Sequence, residues 1–171
     1  VANNLNDISK DNPEIAIELC QQWLNDGVSK ETLWIIKHGA RGLIKACNPQ
    51  LLALLGFNDN PALQCVDFTV DKTVICQGQS INFRGKIHNP TTTDCNAIID
   101  YAVLYPRQNG KFLRKVFKLS TTVIQAGCDM ELNKTLSFKP ISTRRYYAGT
   151  HHIELLVNGR MMQSQSFVLV D

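Results

Sequence analysis

The sequence predicts an α+β chain in two parts: a helical repeat unit over residues 1–61, then an antiparallel β-sandwich of immunoglobulin type over residues 62–171. Three observations carry this. The hydrophobic period changes near Pro61, from one that suits helices to one that suits strands. About seven short alternating runs follow, spaced as in a sandwich. Two of the joints, Asn109-Gly110 and Asn158-Gly159, are Asn-Gly pairs, the dipeptide that suits tight hairpins.

The helical part begins after a polar opening, Ala2-Asn3-Asn4. A start at Val1 rather than Met suggests a piece of a longer protein. Asn12 can cap a helix and Pro13 suits its first position. Ile15, Ala16, Leu19, Cys20 and Trp23 then form an apolar face, and Asp26-Gly27 ends the helix. Ser29 can cap the next, with Glu31 placed to favour the helix dipole.

Leu33–Lys45, LWIIKHGARGLIK, reads as one helix with two faces. At 100° per residue Leu33, Ile36, Ala40, Leu43 and Ile44 share an apolar side. Lys37, Arg41 and Lys45 recur every four residues beside it, with Trp34 and His38 in the same stripe. Gly39 and Gly42 weaken the helix, by ~1 kcal/mol each relative to Ala, and let a neighbouring backbone come close. Asn48-Pro49 opens a short helix, Gln50–Leu55, which Gly56 closes. Ile17, Leu24 and Ile35 lie off the main seams, as expected where further helices pack outside. Residues 1–57 therefore read as the last repeat of a truncated array.

In the second part Ile81, Phe83, Gly85 and Ile87 alternate with Asn82, Arg84, Lys86 and His88. Asn96–Tyr105 is apolar on both sides and reads as a central strand. Phe112–Leu119 follows the first Asn-Gly turn. Other strands are expected near Val66–Val70, Glu131–Phe138, His151–Val157 and Ser164–Val170. The antibody pattern is excluded, because both Trp residues lie in the helices and no Cys follows Cys128. His151 takes the position of the usual corner tyrosine, which predicts a hydrogen bond back to the corner backbone.

The net charge of +3 is unevenly spread. Residues 1–62 hold five bases against seven acids, a net −2; residues 63–171 hold thirteen against eight, a net +5. Arg107, Lys111, Arg114, Lys115 and Lys118 form one stretch without an acid, and Lys139, Arg144 and Arg145 another. Exposed strands also carry lysines to discourage edge pairing, so a solvated surface is an alternative for each base. Six cysteines, at 20, 47, 65, 76, 95 and 128, form no CxxC and no zinc pattern. They read as reduced thiols of a cytoplasmic protein, with a Cys95–Cys128 bridge left open. No run approaches the ~18 apolar residues of a membrane span, and no signal peptide opens the chain.

LWIIKHGARGLIK followed by NPQLLALLGF resembles the last helical repeat of the bacterial alkylation-repair DNA glycosylases of the AlkC and AlkD type. TRRYYAGTHHIELLVNG (Thr143–Gly159), with DYAVLY and KVFKLS, resembles the immunoglobulin-like domain that AlkC proteins carry and AlkD lacks. The resemblance implies a HEAT-like helical fragment with the sandwich appended. It also implies a parent enzyme that excises alkylated bases, of the N3-methyladenine or N3-methylcytosine class, without metal or small-molecule cofactor. Catalytic carboxylates of that family lie in earlier repeats, so Glu14, Glu18 and Glu31 receive no catalytic role and this piece alone is expected to be inactive.

The partner so implied is double-stranded DNA, bound by a monomer. Lys37, Arg41 and Lys45, with Trp34 and His38, would contact phosphates from the concave face of the array. Arg107 and Lys111 at the Asn-Gly turn, and Arg144 and Arg145 in the corner loop, would bring the sandwich onto the same duplex as a clamp. The alternative is an adaptor whose sandwich binds a protein partner through an edge strand.

Overall fold

The computed structural model describes residues 1–140 and 145–171. They divide into two compact units, Val1–Asp59 and Asn60–Asp171. The first contains α1 (Ala2–Asp11), α2 (Pro13–Asn25), α3 (Lys30–Gly39), α4 (Arg41–Lys45) and α5 (Pro49–Leu54).

The polar opening is itself a helix, which the sequence reading did not anticipate. α1 buries Leu5, Asn6 and Ser9. Two of these are polar, so no apolar period marks the helix; Ser9 Oγ satisfies itself on the Asn6 carbonyl at 2.8 Å. Asn12 ends α1, its N–H donating to the Ile8 carbonyl at 2.7 Å, and its side chain makes no cap for α2. The buried face of α2 is Ala16, Ile17 and Cys20. Ile15, expected inside, is exposed, and Ile17, expected outside, is in the core. The presence of α1 explains the rotation: the unit's core includes Leu5 together with Ile17, Cys20, Ile36, Leu43 and Leu51.

Ser29 caps α3 as expected, accepting from the Thr32 N–H at 3.0 Å. Asn48 caps α5 in the same way, accepting from Leu51 N–H at 3.0 Å. A methyl group at Gly39 would lie 2.7 Å from Leu5 Cδ2 and 2.9 Å from the Ala2 carbonyl oxygen, so α1 and α3 touch where only a hydrogen fits.

The second unit contains, among the described residues, eight strands: β1 (Gln64–Val70), β2 (Val74–Cys76), β3 (Ser80–His88), β4 (Cys95–Pro106), β5 (Phe112–Ile124), β6 (Asp129–Ser137), β7 (Gly149–Val157) and β8 (Arg160–Val170). One sheet has the order β1-β3-β6 and the other β2-β8-β7-β4-β5. All the pairings are antiparallel except one. β2, absent from the sequence reading, runs parallel to β8, with Val74 opposite Val168 and Cys76 opposite Val170.

The sandwich core is aromatic at one end, where Tyr105, Phe138 and Phe167 surround His151 and Tyr146 packs on Phe138. β3 alternates as its sequence requires, with Ile81, Phe83 and Ile87 fully buried. β4 lies inside its sheet between β7 and β5 and is buried on both sides from Ala97 to Val103. The Asn158-Gly159 turn carries positive φ at both residues, +48° and +82°, the backbone of a tight hairpin. The Asn158 side chain accepts from Ile98 N–H at 2.8 Å and donates to the Asn96 carbonyl at 2.9 Å, which ties the β7–β8 hairpin to β4. All six cysteines are free, so Cys95 and Cys128 are not bridged.

Candidate nucleic-acid interface

Leu33–Lys45 is not one helix. α3 stops at Gly39, Ala40 takes φ −94° and ψ 17°, and α4 resumes at Arg41. Two glycines within four residues weaken the local helix. Arg41 Nη1 donates to the His38 carbonyl at 2.7 Å, holding a main-chain oxygen at the break. The apolar seam survives it, with Ile36, Ala40 and Leu43 buried.

The polar stripe lies in the open. Trp34 is 61% exposed. Lys37, His38 and Lys45 are exposed and Arg41 is half-buried. One turn apart on α3, the Trp34 and His38 rings stack with centroids 4.9 Å apart and planes 5° from parallel. Trp34 takes no part in the helical core, whose partly buried tryptophan is Trp23. The helical face therefore presents two parallel, stacked rings beside Lys37, with Arg41 and Lys45 beyond the break. One of Arg41's five N–H donors is used internally, which leaves others for an oxyanion.

In the sandwich, Arg107 and Lys111 flank the β4–β5 turn and are exposed. Arg107 N–H donates to the Lys111 carbonyl at 2.9 Å, and the Asn109 side chain accepts from Lys111 N–H at 3.1 Å, so the turn is held from within. Arg145 is exposed, its guanidinium 5.2 Å from the Tyr147 ring centroid. β7 runs antiparallel to β4 with His152 opposite Leu104, so the start of β7 lies beside the end of β4. That register brings Arg107, Lys111 and the residues just before β7 to one end of the sandwich. Arg144 lies outside the described residues. In the other basic stretch, Arg114 is engaged, its Nε donating to Glu154 Oε2 at 2.8 Å.

Among the described residues of the sandwich, burial shifts three ionisable groups: Cys65, whose thiol is pushed up to about 11, His151 and Asp100. His151 is fully buried; its Nδ1 lies 3.1 Å from the Gly149 carbonyl, the corner hydrogen bond expected of it. A carbonyl only accepts, so Nδ1 carries the proton and Nε2 is a bare acceptor, buried without a partner among the described residues. Burial depresses the His151 pKa. Asp100, 6% exposed, has its carboxyl pushed up to about 6 by burial, against the opposing pull of Lys118 across the strand pair. The sequence gives no sign of one further feature, an open cleft of about 630 Å³ on the outer face of the three-stranded sheet. Arg84, Lys86, Asp67 and Glu131 line it with mixed charge. The bulge at Asp67, with φ +55° and a register shift between Val66 and Thr69, shapes its rim.

Residues 64–171 match the family model described as "Uncharacterised protein YhaZ, C-terminal Ig-like domain". Over 98% of its length the chain is 36% identical to YhaZ of Bacillus subtilis (strain 168), of which it covers 46%. It also superposes on the Pseudomonas fluorescens alkylpurine DNA glycosylase AlkC, solved bound to DNA containing an abasic site analog, with TM-score 0.90 and 32% identity over 99% of the chain and 47% of AlkC. A β-glucosidase from Listeria innocua matches at TM-score 0.52 and 11% identity over 68% of the chain and 17% of its own, a likeness of fold alone. The chain thus spans about half the length of YhaZ and AlkC. It belongs to the family defined by the YhaZ C-terminal Ig-like domain, and AlkC is its structural counterpart among DNA glycosylases.

Proposed function

We propose that this chain is the DNA-holding part of a glycosylase that removes alkylated bases, of the N3-methyladenine or N3-methylcytosine class, in a bacterial cytoplasm. One observation carries the reading. Trp34, Lys37, His38 and Lys45 stand exposed, with half-buried Arg41 in the same stripe, on a helical unit whose counterpart in AlkC belongs to an enzyme solved on DNA. Lys37, Arg41 and Lys45 are assigned to phosphates, which supply salt-dependent affinity and position rather than sequence choice. Arg107, Lys111, Arg144 and Arg145 are assigned the same role from the sandwich. Glu14, Glu18 and Glu31 are exposed and stay outside the chemistry. The piece alone is expected to bind duplex and to leave the glycosidic bond intact.

The test is titration of the chain with duplex DNA over a series of salt concentrations. Binding should weaken steeply with salt, and Lys37→Glu should reduce it. Binding that is absent, or indifferent to salt, would sink the reading and favour the adaptor alternative. An abasic-site assay on the same material should detect no excision.

A further inference from the structure

We infer that the Trp34–His38 pair is a stacking platform for a nucleobase that has left the duplex stack, so that the helical unit prefers interrupted duplex over intact duplex. The inference rests on the DNA reading above and adds the kind of DNA chosen.

The argument starts from what an exposed tryptophan costs. A large apolar ring in water forgoes the burial that favours its type, and a solitary one also spreads over several rotamers. Trp34 is exposed without being solitary. His38 covers one face of the indole in a stack 5° from parallel at 4.9 Å, and that contact fixes the indole's orientation. A ring covered on one face and still 61% exposed has its opposite face open. The pair is thus the first two layers of a stack whose next layer is missing.

Flat, aromatic and electron-rich on its face, the open layer suits another ring at van der Waals distance. Bases paired inside an intact duplex already have both faces covered, so they offer it nothing. A base freed from its neighbours does, and stacking on aromatic side chains is tolerant of base identity. The charges nearby favour the same ligand. Lys37 lies between the two rings in sequence and is exposed, and Lys45 is exposed beyond the break. A cation beside the platform meets the phosphate attached to the stacked nucleotide. An apolar protein segment would find no continuous groove here, since Trp34 and His38 are flanked by exposed polar residues Glu31 and Lys37.

The experiment compares this chain on two short duplexes of equal length, one intact and one with a single unpaired adenine. Wild type should bind the bulged duplex on the order of tenfold more tightly. Trp34→Ala should lose far more affinity for the bulged duplex than for the intact one, and Trp34→Phe, which retains a ring, should restore much of the difference. Indole fluorescence should be quenched by the bulged duplex in the wild type and not in Trp34→Phe, where the half-buried Trp23 is the remaining indole. Equal affinity for the two duplexes, or an equal loss on both in Trp34→Ala, overturns the platform while leaving phosphate binding intact. Failure to bind either duplex overturns the platform together with the DNA reading.

Discussion

Gly39 lies against Leu5 so closely that a Cβ on the glycine would fall 2.9 Å from the leucine Cβ as well as 2.7 Å from its Cδ2. α1 and α3 meet at this point, and Ala2 contributes a main-chain oxygen that cannot swing aside. Gly39→Ala should therefore destabilise the helical unit by about 1–3 kcal/mol, despite alanine's better helix propensity. At Gly42 the nearest atoms to an added Cβ, Asn6 Oδ1 and Ser9 Oγ, are 3.8 and 4.0 Å away, an ordinary contact. Gly42→Ala should be neutral or stabilising, by up to ~1 kcal/mol. Chemical denaturation of both variants checks the pair; equal effects would contradict the close approach.

Asp100 should make the sandwich less stable as pH rises through the acid range. Its folded carboxyl titrates near 6, above the unfolded value, so the fold favours the protonated form. That contribution is complete below the unfolded pKa and is lost as pH climbs to about 6. Asp100→Asn should accordingly raise stability near neutral pH by about 1–3 kcal/mol and change little near pH 4. Denaturation midpoints measured across that window decide it, and a variant less stable than wild type at pH 7 would show that the carboxylate is needed charged.

His151 should act with the opposite sign. Its folded pKa lies below the ordinary histidine value. The unfolded chain therefore takes up a proton that the fold resists, and stability falls as pH drops below about 6.5. His151→Phe keeps a ring among Tyr105, Phe138 and Phe167 and removes the buried bare nitrogen. Its acid-side stability curve should be flatter than that of the wild type. Parallel curves would rule His151 out as the source.

Charge reversal at the β4–β5 turn tests the sandwich's assigned role. Arg107→Glu and Lys111→Glu leave the turn's internal bonds in place, since these use the main chain of both residues and the Asn109 side chain. Each lost phosphate contact should lower the slope of log affinity against log salt by about one. Unchanged slopes would remove the β4–β5 turn from the DNA interface.

Period and punctuation made much of the architecture legible. Asn158-Gly159, Asn109-Gly110, Ser29 and Asn48 each sit where the structure uses them. His151 makes its corner hydrogen bond. Legibility ended where a residue's role depends on something other than its own neighbours in sequence. α1 escaped because Asn6 and Ser9 turn inward and leave Leu5 alone to mark the core. Without α1, the face of α2 was rotated to Ile15 instead of Ile17. β2 is three residues long and has no hairpin partner, so nothing local announces it. In the candidate site, spacing placed Trp34 and His38 in one stripe, but not the stack between their rings or the hydrogen bond from Arg41 to the His38 carbonyl. Both depend on side-chain rotamers and on a helix break that a hydrophobic period does not register.

The parallel pairing of β2 with β8 has a bearing on the order of events during synthesis. Val74 leaves the ribosome long before Val168, yet the two are partners in the same sheet. Every other strand of that sheet can find an antiparallel neighbour as it emerges; β2 must wait for the last one. Closing so long a loop is a slow step. Until it is complete, Ile75, which ends up buried in the core, remains without its cover. The sandwich therefore fastens from its far end, and a nascent chain that stalls within β8 would hold an open edge beside an otherwise assembled sheet.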